Sequence, residues 1–228
     1  RLFYYRELPE EPPLPFKAKV LYLDEHLLVA DKPHFMPVVP TGRFLKQSLL
    51  VQLKAEFDLS DLSPVHRIDR DTAGLVLFSV NARSRGAYQA LFRDREVEKT
   101  YEAVAPWRSD LSWPLQRRSR IVEAEDFFRC QEIAGEPNSE TWIECLEPQS
   151  PSWARYQLKP VTGKRHQLRV HMNALGLPIK NDSFYPEVND PEEGDYSQPL
   201  QLLARELRFM DPMTQLPRVF VSQLTLAK

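Results

Sequence analysis

Residues 66–74 read HRIDRDTAG, which sets one carboxylate, Asp69, between the guanidinium groups of Arg67 and Arg70, with a second acid at Asp71. The apolar run LVLFSV follows at once. A strand has no use for these charges at its mouth, so the segment reads as a held carboxylate presented at the end of a sheet strand. An ionised carboxylate can attack an electron-poor carbon or stabilise a cation developing there. A nearby guanidinium keeps it ionised where burial would favour protonation. A second stretch, GKRHQLRVH at 163–171, contains no acid, and Arg83, Arg85, Arg93, Arg95 and Lys99 crowd a third. Acids gather elsewhere, in EAED at 123–126 and EVNDPEEGD at 187–195. The net charge of −2 does not by itself indicate a nucleic-acid partner. Its uneven distribution, however, allows a basic cleft on a neutral protein.

Several other chemistries are excluded. The seven glycines form no GxG, so a dinucleotide fingerprint is missing. TGK at 162–164 imitates a phosphate loop, but Leu158 stands where the first glycine belongs and Arg165 where Ser or Thr should follow. His166 and His171 are five apart and turn away from each other on a helix, and no HExxH occurs. There is no GxSxG elbow of a serine hydrolase. Cys130 and Cys145 make neither a CxxC pair nor a disulfide framework and read as reduced thiols.

The elements that must position these residues are legible in part. Four prolines, at 9, 12, 13 and 15, make residues 1–16 an extended arm, leaving 17–228 as one domain. KVLYLD and HLLVAD are short β-rich runs around a turn at Asp24–Glu25. QSLLVQLKAEF places Leu49, Leu50, Leu53 and Phe57 on one helical face. GLVLFSV, apolar on both faces, predicts a buried central strand. Asn81 caps a helix through ARSRGAYQALFRDR that buries Ala87, Leu91 and Tyr88. VEKTYEAVA alternates as a strand with Val97, Lys99, Tyr101, Ala103 and Ala105 on one side. FFRCQEI, ETWIECLE and WARYQLKP read as antiparallel strands, HQLRVHMNALG as a helix stopped at Gly176, and LQLLARELRF and RVFVSQLTL as closing strands. The acidic 187–197 segment is the expected mobile loop. The order is mixed and without a βαβ rhythm, which predicts an α+β fold on one large, mainly antiparallel sheet flanked by helices and loops. At 228 residues, with 42% hydrophobic and 27% charged content, the composition is that of a globular domain. No run approaches the roughly 20 apolar residues of a membrane helix, and the N-terminus carries no signal-peptide core, so the expected compartment is the cytoplasm.

Taken together, these residues resemble the RluA-type family of RNA pseudouridine synthases. HRIDRDTAG is similar to the family's HRLDRDTSG around its catalytic aspartate. VADKPHFMPVVP (29–40) resembles its Lys-Pro segment, and LFRDREVEKTYEAV (91–104) its basic segment ending in a tyrosine strand. LKPVTGKRHQLRVHMNALGLPIKNDSFY (158–185) resembles its longest motif almost throughout. The sequence departs from the pattern at Ala73, where the family has serine, at Lys164, where it often has arginine, and at Leu203, where it commonly has histidine.

The resemblance implies a pseudouridine synthase fold with a central RNA-binding cleft. It implies an isomerase that breaks the bond between ribose and base in structured RNA, turns the base and rejoins it through carbon. It implies neither cofactor nor metal. Carried over by position, Asp69 is the catalytic carboxylate, Tyr101 the aromatic partner of the target base and a candidate general base, and Arg169 the cation that pairs with the aspartate. Arg67 matches a position that helps fill the gap left by the extruded base. Arg70, Lys99, Lys164, Arg165 and His166 complete the expected RNA-binding set. His66 and His171 are taken as structural or RNA-contacting, and Lys32–Pro33 as architectural. Read singly, Asp69 is more often a cap or salt-bridge acid, Tyr101 is most often a half-buried strand aromatic, and Arg169 fits a solvated helix residue. A monomer in a bacterial cytoplasm is expected, with RNA as partner, large-subunit ribosomal RNA ahead of transfer RNA. The alternative is a non-catalytic RNA-binding or ribosome-assembly protein of the same fold.

Overall fold

The structure, a computed structural model, describes residues 11–42, 44–148, 150, 152–189, 192 and 194–227. Strands β1 (Lys19–Leu23) and β2 (Leu27–Lys32) form an antiparallel hairpin. Asp24 makes its turn: Oδ1 accepts the backbone N–H groups of His26 and Leu27, both at 2.8 Å. Helix α1 (Leu49–Phe57) buries Leu49 and Leu53, and the two-residue β3 (Ser63–Pro64) precedes β4 (Ala73–Ser79). All seven residues of β4 are buried, as an apolar run without alternation requires. Asn81 then caps α2 (Ala82–Arg93), its side chain accepting the N–H groups of Arg83 and Ser84.

Strands β5 (Glu98–Pro106), β6 (Leu115–Glu123), β7 (Cys130–Ile133), β8 (Ser139–Pro148) and β9 (Trp153–Pro160) follow. Helix α3 (Gln167–Ala174), β10 (Leu202–Met210) and β11 (Pro217–Val221) complete the order. The strands join in one sheet ordered β1-β2-β4-β10-β5-β9-β8-β6-β7, with β11 on β10 and β3 on β4. Only the β4–β10 pair is parallel among the described pairings. This is the expected α+β arrangement. Helix α3 packs Leu168 and Met172 on the β5, β8 and β9 face formed by Ala103, Ala105, Ile143, Ala154, Tyr156 and Leu158. On the other wing, Leu28, Ala30, Val76 and Phe78 pack against α1. None of the helices among the described residues is long and apolar enough to cross a membrane.

Several expectations shift. The 117–160 region holds β6 in addition to the three strands read from sequence, and the FFRCQEI strand starts only at Cys130 because Phe127, at φ 61°, closes a turn. In α2, Ser84, Tyr88 and Leu91 are buried and Ala87 is half-buried; Tyr88 goes inside because its hydroxyl reaches Asp211 Oδ1 at 3.1 Å. Strand β11 ends at Val221, after which Ser222 and Gln223 bond the Asp31 carboxylate and Leu226 is buried with Ala73, Val104 and Leu203. Residues 1–10 of the N-terminal arm lie outside the described residues, and the rest of the arm packs on the domain. Glu11 accepts the N–H groups of Leu45, Lys46 and Gln47, and Leu14 is buried among the α1 residues. In the acidic loop, positions 190, 191 and 193 lie outside the described residues, and Tyr196 just beyond packs on Phe16 and Phe35. Two of the departures from the family pattern, Ala73 and Leu203, are partners in the β4–β10 register, so both hydroxyl and imidazole are replaced by one apolar contact.

Candidate active site

Asp69 sits in the loop entering β4, and the loop is held from behind. Lys32, the last residue of β2, is fully buried and donates from Nζ to the carbonyls of Pro33 and Arg70, each at 2.9 Å. His34 Nδ1 lies 2.7 Å from the Asp71 carbonyl, and Thr72 N–H donates to the Asp69 carbonyl. Burial pushes the Lys32 ammonium down to about 7, with Asp71 and Asp69 opposing the shift. Lys32 is therefore a clamp on the carboxylate loop. Asp71 is nearly buried and paired with Arg70 Nε at 2.8 Å, which leaves Asp69 as the partly open acid of the pair, with 29% of its side chain exposed.

The cation arrives from 100 residues away. Arg169, on the inner face of α3 and 1% exposed, reaches Asp69 Oδ2 from Nη1 at 3.3 Å. Its other two nitrogens form a fork on Asp182: Nε to Oδ2 at 2.8 Å and Nη2 to Oδ1 at 2.6 Å. Asp182 is itself fully buried and accepts the N–H groups of Phe184 and Tyr185. The Phe184 and Tyr185 rings lie 4.8 and 5.5 Å from the guanidinium carbon. Burial alone would lower the Arg169 pKa, but the hydrogen bonds and charge of Asp182, with Asp69 behind them, outweigh it and hold the group above its ordinary value. The result is a permanently charged guanidinium with one edge aimed at Asp69.

Tyr101 comes into range through sheet register. Gly74 pairs with Ala204, Ala204 with Tyr101, and Tyr101 with Leu158. Two strand spacings, about 10 Å, therefore separate Tyr101 from the strand that Asp69 leads into. The ring is half-buried against the α3 core. Burial, and then the Asp69 charge, push its phenol well above the ordinary range. At neutral pH it carries its proton, which suits a stacking surface or a hydrogen-bond donor.

The expected RNA-binding residues divide. Arg67 and Lys164 are exposed, and Arg70 is exposed while paired with Asp71 and lying 5.8 Å from the Phe44 ring centre. Lys99 is half-buried, its Nζ 3.4 Å from the Thr162 carbonyl, and burial lowers its pKa. Arg165 is exposed but engaged with the carbonyls of Phe127 and Phe128 and with Glu123. His166 is buried at φ 54° just before α3, with Nδ1 3.1 Å from the Tyr185 hydroxyl and Nε2 3.9 Å from Asp69 Oδ2. Burial lowers its pKa, so it stands as a neutral wall of the carboxylate site rather than as a surface cation. His66 and His171 are structural. His66 Nε2 accepts the Leu77 N–H and its ring stacks on Phe92, while His171 lies among Ser119, Ser139 and Thr141. Burial pushes them down to about 3 and about 4. The imitation phosphate loop is a brace: Gln167 Oε1 accepts from Thr162 Oγ1 and the Lys164 N–H, and its Nε2 donates to the Glu140 carbonyl.

Sequence reading did not single out Asp182. The available signal was an acid three residues before Tyr185 inside the motif ending SFY, which by itself looks like a turn residue.

Such a fold is shared with solved pseudouridylate synthase domains. The human RNA pseudouridylate synthase domain containing 1 superposes with a TM-score of 0.74 at 23% identity, over 96% of this chain and 94% of that one. The sequence profile of RNA pseudouridylate synthases matches residues 26–174. The dual-specificity RNA pseudouridine synthase RluA of Salmonella typhi is 33% identical over 215 residues, 90% of each chain. The Haemophilus influenzae protein of that name is 31% identical over 220 residues, 89% of this chain and 91% of its own. The chain belongs to the RNA pseudouridylate synthase family, RluA type.

Proposed function

We propose that residues 17–228 act as one catalytic domain that isomerises uridine to pseudouridine in structured RNA, with Asp69 as the reacting carboxylate. The observation that carries this reading is the half-open Asp69 carboxylate held by a buried, fully partnered Arg169. The target uridine must leave its stack before it can be turned, at a cost of about a few kcal/mol. Tyr101 offers the flipped base a ring face, a contact worth roughly 1–3 kcal/mol. The bond between C1′ and N1 breaks with its electron pair going to the base, and Asp69 either bonds C1′ or stabilises the sugar cation. After the base turns, C5 bonds C1′, the C5 proton leaves to solvent, and N1 ends protonated. Product and substrate are isomers, so no co-reactant enters the balance.

Arg169 pairs with the carboxylate and Asp182 keeps Arg169 in place. Arg67, Arg70 and Lys164 supply outward charge for phosphates, a salt-sensitive contribution. The relatives carry dual specificity in their names, so transfer RNA and large-subunit ribosomal RNA are both substrate classes to test. The test is tritium release from 5-tritiated uridine in unmodified RNA of each class. Wild-type protein is expected to release tritium from at least one class, and Asp69→Asn to fold normally and release none. Appreciable turnover by the variant would remove Asp69 from its role. RNA protection without any release would instead favour the non-catalytic reading.

A further inference from the structure

We infer that Phe127, at the tip of the β6–β7 hairpin, is a preformed stacking surface for an unpaired nucleobase of the substrate RNA beside the flipped uridine. The inference rests on the reading above that the substrate is RNA. Phe127 is 80% exposed, more than any other large hydrophobic residue among those described. An exposed aromatic is ordinary when the loop beneath it is loose, but the turn that carries this one is tied down by hydrogen bonds. Phe127 N–H donates to the Ala124 carbonyl at 3.1 Å, and Ala124 N–H to the Arg129 carbonyl at 3.1 Å. The Asp126 carboxylate takes both the Arg129 N–H and Arg129 Nε. Arg165 then donates from Nη1 to the Phe127 carbonyl at 2.9 Å and from Nη2 to the Phe128 carbonyl at 2.5 Å. The backbone at Phe127 takes φ 61°, a region that bulky residues rarely adopt. A turn that needed only to reverse the chain would be better served by glycine or asparagine.

The tip is joined to the reaction site by two routes. Arg165 directly precedes His166, whose Nε2 is 3.9 Å from Asp69 Oδ2. Phe128 packs on Phe184 at 5.4 Å between ring centres, and Phe184 carries the Arg169 guanidinium at 4.8 Å. Phe128, next in the chain to the tip residue, and Phe184 thus link the hairpin to the cation that holds the carboxylate. Of the acids around the tip, Asp126 pairs with Arg129 and Glu123 with Arg165, while Glu125 is exposed. A ring on a braced turn has only two side-chain torsions to fix on binding and accepts any base face, so it suits a loop nucleotide displaced when the uridine is extruded.

The test is equilibrium binding of unmodified transfer RNA and large-subunit ribosomal RNA transcripts to Asp69→Asn protein, which binds without turnover. Adding Phe127→Ala is expected to weaken binding to the RNA class that the wild type modifies by about 10-fold, within the roughly 5- to 150-fold range of a base–aromatic stack. Phe127→Tyr and Phe127→Trp should remain within about twofold of the parent, whereas Phe127→Leu, apolar but without a π face, should stay weakened. The salt slope of binding should not change, because no charge is removed. The thermal midpoint should also be unmoved, because the ring is exposed. Undiminished binding by Phe127→Ala, or full recovery with Leu, would overturn the inference while leaving the proposed function intact. An Asp69→Asn parent that binds neither RNA would overturn both.

Discussion

At the scale of single residues, the site depends on one guanidinium shared between two carboxylates with different duties. Asp182 is fully buried, fork-bonded to Arg169 and braced by two backbone N–H groups, so it orients the cation. Asp69 keeps part of its surface open, so it is the acid available to a substrate. Replacing Asp182 by Ala leaves a buried Arg169 short of its main partner, a change that costs about 3–5 kcal/mol in comparable buried pairs. Asp182→Asn keeps the volume but turns an amide N–H₂ toward the guanidinium. Turnover is expected to fall at least about tenfold with a smaller change in KM, since orientation matters more in the transition state than in RNA binding. Unchanged turnover in a folded Asp182→Asn protein would mean that Asp182 is only structural. Asp69 and Arg169 were reachable from the sequence through their motifs. Asp182 was not, because nothing local distinguishes an acid in a turn from one that will lie under an arginine.

At the scale of elements, the β4–β10 crossing carries most of the geometry. Gly74 has φ 109°, and a Cβ built there would lie 2.3 Å from the Ala204 carbonyl oxygen and 2.7 Å from its nitrogen. The two strands meet closely at this point, and the same register sets Tyr101 beside Ala204. Gly74→Ala therefore meets backbone on one side and a disfavoured φ on the other. A loss of about 3 kcal/mol or more is expected, read as a fall in the urea midpoint at constant m-value, with turnover lost wherever the sheet shifts. A Gly74→Ala protein as stable as wild type would contradict so close a crossing. The strand β4 itself was plain from its unbroken apolar run, and α2 from its asparagine cap. Strand β6 carries a visible alternation of Leu115, Arg117, Ser119 and Ile121, but its arginines resemble a solvated face until Arg117 is seen paired with Glu132.

At the scale of the whole molecule, the notable property is how many histidines burial keeps neutral. His34, His66, His166 and His171 all have lowered pKa values, with desolvation the largest cause in each, and His66 and His171 fall to about 3 and about 4. In the unfolded chain these groups take up protons as pH falls through about 6.5. In the folded chain they do so only at lower pH, so the unfolded state binds more protons and stability drops as pH drops. The contribution is complete above pH 6.5 and is lost progressively toward pH 4 and 3. Each histidine that stays neutral adds a slope of up to about 1.4 kcal/mol per pH unit. Urea unfolding at pH 7.5, 6.0 and 4.5 should show the fall before the carboxylates titrate. A flat profile between pH 6.5 and 4.5 would contradict the burial of these rings.

Sequence pattern was enough for the α+β class and most strand and helix positions, and the family motifs singled out Asp69, Tyr101 and Arg169 as the candidate site residues. These are properties carried by short-range pattern: periodicity, turn chemistry and residue order within a motif. Only the tertiary structure decided which charges face outward and which are consumed inside. Arg67 and Lys164 remain open, whereas Arg165 braces a hairpin and His166 is buried beside the carboxylate. It also supplied Asp182 and showed that Arg117 and Arg118 of β6 have partners across the sheet. The physical reason is that the role of a charged side chain is set by its desolvation and its nearest opposite charge. In this fold Arg169 and Asp69 lie 100 residues apart, brought together by sheet register and the packing of α3.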